Sequence, residues 1–308
     1  MTASDEELEW AGKPDHHIIE SSSDEFPELL LQIPNAPQRL FVIGSPNVLH
    51  LPSLAIVGSR NPTRGGRENA YEFARHLGHS GFSIVSGLAQ GIDAAAHRGA
   101  LAAGAPTVAF LGHGIDLIYP ASNRELARLI AEGGALCTEF PLRTQPRREH
   151  FPQRNRLISG LCLGTLVVEA ARRSGSLISA RLAGEQGREI FAIPGSIHNP
   201  MSRGCHQLIR QGAKLVESAD DIVSELGSLV NHMLQTTDAK ESPQAEQFNK
   251  DGDYQILLDA LGYDPATTDE LAKTSGLTID QVSSMLLILE LEGEIEAQNG
   301  GRYSRLQT

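Results

Sequence analysis

Cysteine is scarce. Cys137, Cys162 and Cys205 are odd in number and far apart, and no CxxC pair occurs. That excludes a disulfide framework and gives no zinc-site spacing. The three read as small buried hydrophobes of a reducing compartment, and neither metal nor cofactor is expected. Long apolar runs are also lacking, so no helix should span a membrane. The start, MTASDEELEW, is acidic and has no apolar signal core, which points to a cytoplasmic protein. There is no GxxxxGK[ST] run, and the GxG at Gly112–Gly114 lacks the third glycine of a dinucleotide fingerprint. Both absences argue against a Walker-type NTPase or a dinucleotide enzyme.

Lysine is nearly absent from the middle of the chain. The net charge of −12 is unevenly spread. Residues 1–28 hold nine acids and one Lys, residues 228–249 three acids and one Lys, and residues 250–308 eleven acids and four bases. Residues 29–227 hold 20 bases, 19 of them Arg, against 15 acids, and so carry +5. Arginine suits bidentate phosphate contacts and stacking on bases. The whole-chain charge therefore does not exclude a polyanionic partner.

What is present is a rhythm. Short apolar runs (LAIVG, FSIVSG, TVAFLG, ALCTEF, GTLVVEA, REIFAIPG, AKLVES) alternate with helical patterns between residues 54 and 216. This predicts an α/β fold: a doubly wound, Rossmann-like, mostly parallel sheet of about six or seven strands. Residues 1–25 read as an acidic disordered tail. Residues 26–227 read as the Rossmann-like domain, with an extended lead-in and one strand at Leu40–Ile43. Residues 228–253 read as a polar linker. Residues 254–308 read as a small C-terminal winged helix: three helices, a capping box from Thr267 to Glu270, and a hairpin around Asn299-Gly300. This last segment carries −7, and its third helix offers no Arg or Lys to a groove. A protein-binding or regulatory role fits it better than DNA reading.

Several runs end on glycine, where parallel sheets bind ligands. After the first, Gly58, Ser59 and Arg60 could hold a phosphate. After the second, Gly87 and Gly91 precede Asp93 and His97, which lie a turn apart on one helical face. The Asp–His pair could be a catalytic dyad or a lock on the loop. With no nucleophile beside it, the loop-structuring reading is preferred and no catalytic residue is assigned. Asn123 and Arg124 open a later helix, and Gly175 and Ser176 add amides and a hydroxyl at the same edge. The densest signal is RREHFPQRNR: five Arg between 143 and 156, one acid, and Phe151 between Arg148 and Arg154. An aromatic to stack a base, flanked by guanidiniums for the backbone, is the physics of single-strand binding.

Taken together, AIVGSR, SGLAQGIDAAAH, IDLIYPASN, HFPQRNRLISGL, GTLVVEA, RSGSLISA, FAIPGSI and GCHQLIRQGAKLV resemble, in order and over roughly residues 26–226, the DNA-processing protein A (DprA/Smf) family. The 254–306 segment is similar to the winged helix of many members. The resemblance implies a non-enzymatic protein that binds single-stranded DNA without sequence preference. It also implies loading of the RecA recombinase, protection of incoming DNA in natural transformation, and a homodimer. By motif, Arg60 is the arginine of the family's strand end. Arg148 and Phe151 match its strand-contacting positions, and Arg154, Asn155 and Arg156 its RNR element. His206, Ile209 and Leu215 fall on its dimer face. Arg60, Arg124, Arg148, Arg154 and Arg156 are expected on phosphates. In departure from the family, an acidic tail replaces its N-terminal helical domain, His113 stands where Cys is common, and Arg148 where Lys is common. The rival readings are a phosphoribohydrolase-like nucleotide hydrolase, against which Leu163 before Gly164-Thr165 speaks, and an adaptor that docks RecA without touching DNA.

Overall fold

The computed structural model describes residues 4–227, 250–261, 266–278, 295–298 and 302–305, with Val282, Met285, Leu286 and Leu289 singly. The chain divides into two compact units, Met1–Thr237 and Asp238–Thr308. No helix among the described residues is long and apolar enough to cross a membrane.

The first unit is built on a nine-stranded sheet in the order β1-β2-β6-β5-β4-β3-β7-β8-β9. The strands are β1 (His16–Glu20), β2 (Arg39–Gly44), β3 (Ser53–Val57), β4 (Ser83–Ser86), β5 (Thr107–Phe110), β6 (Ala135–Thr138), β7 (Gly164–Val167), β8 (Glu189–Ala192) and β9 (Lys214–Leu215). From β6 to β9 all pairings are parallel, while β2 runs antiparallel to both β6 and β1. The apolar runs are thus strands of a mostly parallel sheet, with two more strands added at one edge.

Alternation along each strand feeds two faces. Ala55, Val57, Val85, Val108, Phe110 and Val167 pack with Leu157 and Ile158 of α6 (His150–Gly160) and Cys205 and Leu208 of α8 (Arg203–Arg210). Leu54, Ile56, Ile84 and Leu166 pack oppositely, against Ala70, Phe73 and Leu77 of α3 (Arg64–His79) and Ala96 and Ala100 of α4 (Ile92–Ala102). Each such Leu, Ile or Phe taken fully from water is worth about 1.5–3 kcal/mol. Helices α5 (Arg124–Gly133) and α7 (Ser176–Glu185) complete the cover. The chain leaves β3 toward β4, β5 and β6, then returns to place β7 on β3's other side. The order therefore reverses between β3 and β7.

The tail reading of residues 1–25 is corrected. Asp5–Ala11 form helix α1, closed by a capping box in which Ser4 Oγ accepts from the Glu7 amide and Glu7 Oε2 from the Ser4 amide. Acids in the first turn complement the helix dipole, so the acidic run is a helix start. Trp10 is buried edge-on against Phe41. Glu7 pairs with Arg39 of β2, and β1 pairs along β2.

In the second unit, the helices Lys250–Leu261 and Thr268–Ser275 accompany a sheet ordered β10 (Ala266–Thr267), β12 (Arg302–Arg305), β11 (Ile295–Gln298). The capping box from Thr267 to Glu270 is present. Leu257, Leu271, Val282, Leu286 and Ile295 share its core. The turn expected at Asn299-Gly300 lies outside the described residues.

Because Trp10 anchors α1, Trp10→Ala is expected to cost on the order of 3 kcal/mol and to expose residues 5–15 to protease. Thermal melts and limited proteolysis check this; an unchanged melt and digest would contradict the packing.

Candidate nucleic-acid interface

The carboxyl ends of β3, β4 and β5 open onto loops that meet the first turn of α6. Arg60, just past β3, is exposed. Its guanidinium carbon lies 5.3 Å from the centre of the Phe151 ring. Arg154 approaches the same ring at 6.0 Å, and Tyr119, 49% exposed, stands 6.0 Å away ring to ring. His150 stacks on Phe140 at 4.4 Å. Arg60 and the RREHFPQRNR segment, distant in sequence, thus share one ledge, with Phe151 half-buried at its centre.

Beneath the ring lies Arg154, and here the expectation of a phosphate contact is corrected. Its side chain is buried, with 4% of the residue exposed. Nη1 donates to the carbonyls of Gly87 (2.8 Å) and Phe110, and Nε to Asn155 Oδ1 (3.2 Å). The guanidinium ties the end of β5 to the loop after β4. Asp93, also buried, accepts from the amides of Gly87 (3.2 Å) and Ala89 (3.4 Å). One residue, Gly87, therefore joins through its amide and its carbonyl an anion on α4 to a cation on α6. A Cβ on Gly87 would stand 2.5 Å from Arg154 Nη1, so only glycine fits. Burial pushes the Asp93 carboxyl above its ordinary range, opposed by Arg154 and the two amides. Burial pushes Arg154 down to about 10, opposed by Asp93, so Arg154 stays charged at neutral pH.

The remaining residues sort by exposure. Arg124, at the start of α5, and Arg148 are exposed. Asn123, which precedes α5, donates to Leu88 O at 2.9 Å and so fastens that helix start to the β4–α4 loop. Arg156 is corrected too: its Nη2 pairs at 2.5 Å with Glu139, and both side chains are largely covered. Gly58 and Ser59 line the turn after β3, where Ser59 Oγ accepts from the Asn61 amide at 3.1 Å. Gly91, at φ +86°, lies so close to that turn that a Cβ would meet Ser59 O at 2.4 Å. Gly175 is exposed, and Ser176 is buried with its hydroxyl 2.7 Å from that of Ser174, both past β7 rather than on the ledge. His206 Nε2 accepts from the Gly195 amide at 3.3 Å; Ile209 is half-buried and Leu215 49% exposed. Sequence reasoning gave no role to Tyr119 beside the ring or to Thr63 and Glu169 behind Arg60.

Asp93 and His97 do not bond to each other, so the expected pair is corrected as well. Thr107 Oγ1 donates to Ile84 O at 2.6 Å, which leaves it to accept from His97 Nδ1 at 2.7 Å. His97 is fully buried, its Nε2 without a hydrogen-bond partner among the described residues. Burial, with Arg154 and Arg98 nearby, pushes its pKa down to about 3. Between the unfolded value of 6.5 and about 3, only the unfolded chain binds this proton. The contribution is whole above pH 6.5 and is lost as pH falls toward 3, at about 1.4 kcal/mol per unit. His97→Asn, which can still donate to Thr107, should flatten the fall in urea midpoint between pH 6 and 4. Identical slopes for variant and parent would contradict this account.

Residues 17–227 match the family described as DNA recombination-mediator protein A, and residues 240–301 match the DprA winged helix domain. The chain is 42% identical to Protein Smf of Escherichia coli over 299 residues, covering 97% of this chain and 79% of that one. It is 45% identical to DNA processing protein DprA of Streptococcus pneumoniae over 202 residues, 66% of this chain and 71% of the relative. The X-ray structure of the S. pneumoniae protein aligns with a TM-score of 0.66 at 43% identity, covering 69% and 75% of the two chains. DNA processing protein A of Helicobacter pylori, whose structural study concerns its single-stranded DNA binding mode, aligns with a TM-score of 0.63 at 28% identity, covering 69% and 96%. The sheet topology, the glycine-rimmed ledge and these matches converge: this chain belongs to the DNA recombination-mediator protein A (DprA/Smf) family.

Proposed function

We propose that the protein binds single-stranded DNA along the ledge at the ends of β3, β4 and β5 and hands it to a RecA-type recombinase. It does so as a cytoplasmic homodimer that catalyses no reaction and serves the uptake and recombination of incoming DNA. The observation that carries this reading is the exposed Arg60 guanidinium 5.3 Å over the Phe151 ring. An aromatic face and a mobile cation side by side serve the two halves of a nucleotide. A base stacks on Phe151 while Arg60 turns to the adjoining phosphate, and Arg124 and Arg148 continue the backbone track. Arg154 acts from below, holding the ring in place. Such contacts carry little sequence information. The H. pylori relative, studied for its single-stranded DNA binding mode, supports the choice of ligand.

The dimer is assigned to the far edge of the sheet. There β9 is the last strand, Leu215 is 49% exposed, and a cleft of about 590 Å³ lies between α7 and α8, lined in part by Leu177, Ile178, Leu208 and Ala213. A second copy would cover this edge strand.

Phe151→Ala should weaken oligothymidine binding by about 1–3 kcal/mol, the usual worth of one stacked base. Arg60→Ala should weaken it and lower the slope of log affinity against log salt by about 0.7, one phosphate's share. Fluorescence anisotropy across a salt series reads both, and unchanged affinity in both variants would sink the ledge assignment. For the dimer, Ile209→Glu combined with Leu215→Glu should give a folded monomer by analytical ultracentrifugation. A persisting dimer would place the interface elsewhere.

A further inference from the structure

In an open parallel sheet a ligand's phosphate sits where the strand order reverses, here between β3 and β7. This protein has the parts of such a cradle. A tight turn follows β3, Thr63 caps the long helix α3, and Gly65 and Gly66 lie in its first turn. Yet the place is taken. Glu169, just past β7 and only 7% exposed, directs its carboxylate into the turn. Oε2 accepts from the Thr63 amide at 2.8 Å and Oε1 from the Thr63 hydroxyl at 2.7 Å. The same hydroxyl oxygen accepts from the Gly66 amide at 3.0 Å, so the donor chain runs from helix to carboxylate. Gly66 lies so close that a Cβ would stand 2.3 Å from Glu169 Cδ. The Glu169 carbonyl accepts from the Ser59 amide at 2.8 Å, which locks the residue in register with the turn.

A carboxylate and a phosphate ask the same of their surroundings: N–H and O–H donors at the positive end of a helix. We propose that Glu169 is a built-in substitute for a ligand phosphate. It fills the reversal-point cradle permanently, closes it to free nucleotides, and so determines which anions the fold accepts. A nucleotide would have to displace a buried carboxylate that already satisfies the donors. On the neighbouring ledge the exposed Arg60 guanidinium lies over the Phe151 ring, and the buried carboxylate there, Asp93, is held by the Gly87 and Ala89 amides. This inference does not depend on the single-strand reading, and its test uses no DNA.

The test is replacement of the missing carboxylate by a dissolved anion. Glu169→Ala, Glu169→Gln and the parent are melted in chloride, inorganic phosphate and formate at matched ionic strength, and each is titrated with adenosine monophosphate by calorimetry. Glu169→Ala should melt below the parent in chloride and regain about 2–4 °C in tens of millimolar phosphate or formate. It should also acquire weak nucleotide binding. The parent and Glu169→Gln, whose side chains fill the space, should show neither effect. If the alanine variant is unfolded in chloride, circular dichroism asks the same question: phosphate or formate should restore the fold. Failure of every anion to stabilise or refold Glu169→Ala overturns the proposal. So does adenosine monophosphate binding to the parent as tight as that to the alanine variant, or a phosphate response of Glu169→Gln equal to that of the alanine variant.

Discussion

The buried guanidinium of Arg154 is the interaction on which the ledge depends. Taking a cation out of water costs several kcal/mol unless its donors are met. Here two carbonyls at the ends of adjacent strands and a neighbouring Asn155 meet them. In return, the end of β5 and the loop after β4 are fixed to α6. Asp93 completes the arrangement through the Gly87 amide, so the backbone of one residue lies between opposite charges. Phe151 rides on the same turn of α6, and its ring is placed because Arg154 is placed. The opposite charge on α4 also explains how an arginine can be tolerated at such depth.

Charge in this protein is organised by burial rather than by count. Three acids near the ligand edge are engaged internally: Asp93 with amides, Glu139 with Arg156, Glu169 with Thr63. The acids of α1 meet arginines as well, Glu7 with Arg39 and Glu6 with Arg143. Arg60, Arg124 and Arg148 face solvent, with Glu149 an exposed acid among them. A chain of net charge −12 can in this way offer a polyanion a local positive rim.

Much of this was legible in the residues. The apolar runs became the strands, and the glycines at their ends became close approaches to neighbouring side chains. Arg60 and Phe151, remote in sequence, do meet on one ledge. What was misread is instructive, because the signals were present. Arg154, Leu157, Ile158 and Leu161 follow one another at helical spacing along the inner stripe of α6, so the arginine should have been placed inside. Composition alone treated all the arginines as equivalent. Ser4 and Glu7 have capping-box spacing ahead of Trp10, yet the density of acids suggested a tail. Glu169 ends an apolar strand, where a carboxylate needs a partner, but the partner, Thr63, is remote in sequence. Side-chain pairings between distant segments are not encoded in local pattern, and that is where the reading ran out.

The most direct test of the central claim is the structure of the protein bound to a short oligothymidine. The account predicts a base against Phe151, a phosphate on Arg60, and Arg154 still bonded to the carbonyls of Gly87 and Phe110 beneath them. A strand bound away from Phe151, or an Arg154 swung out of its buried place to hold a phosphate, would contradict it.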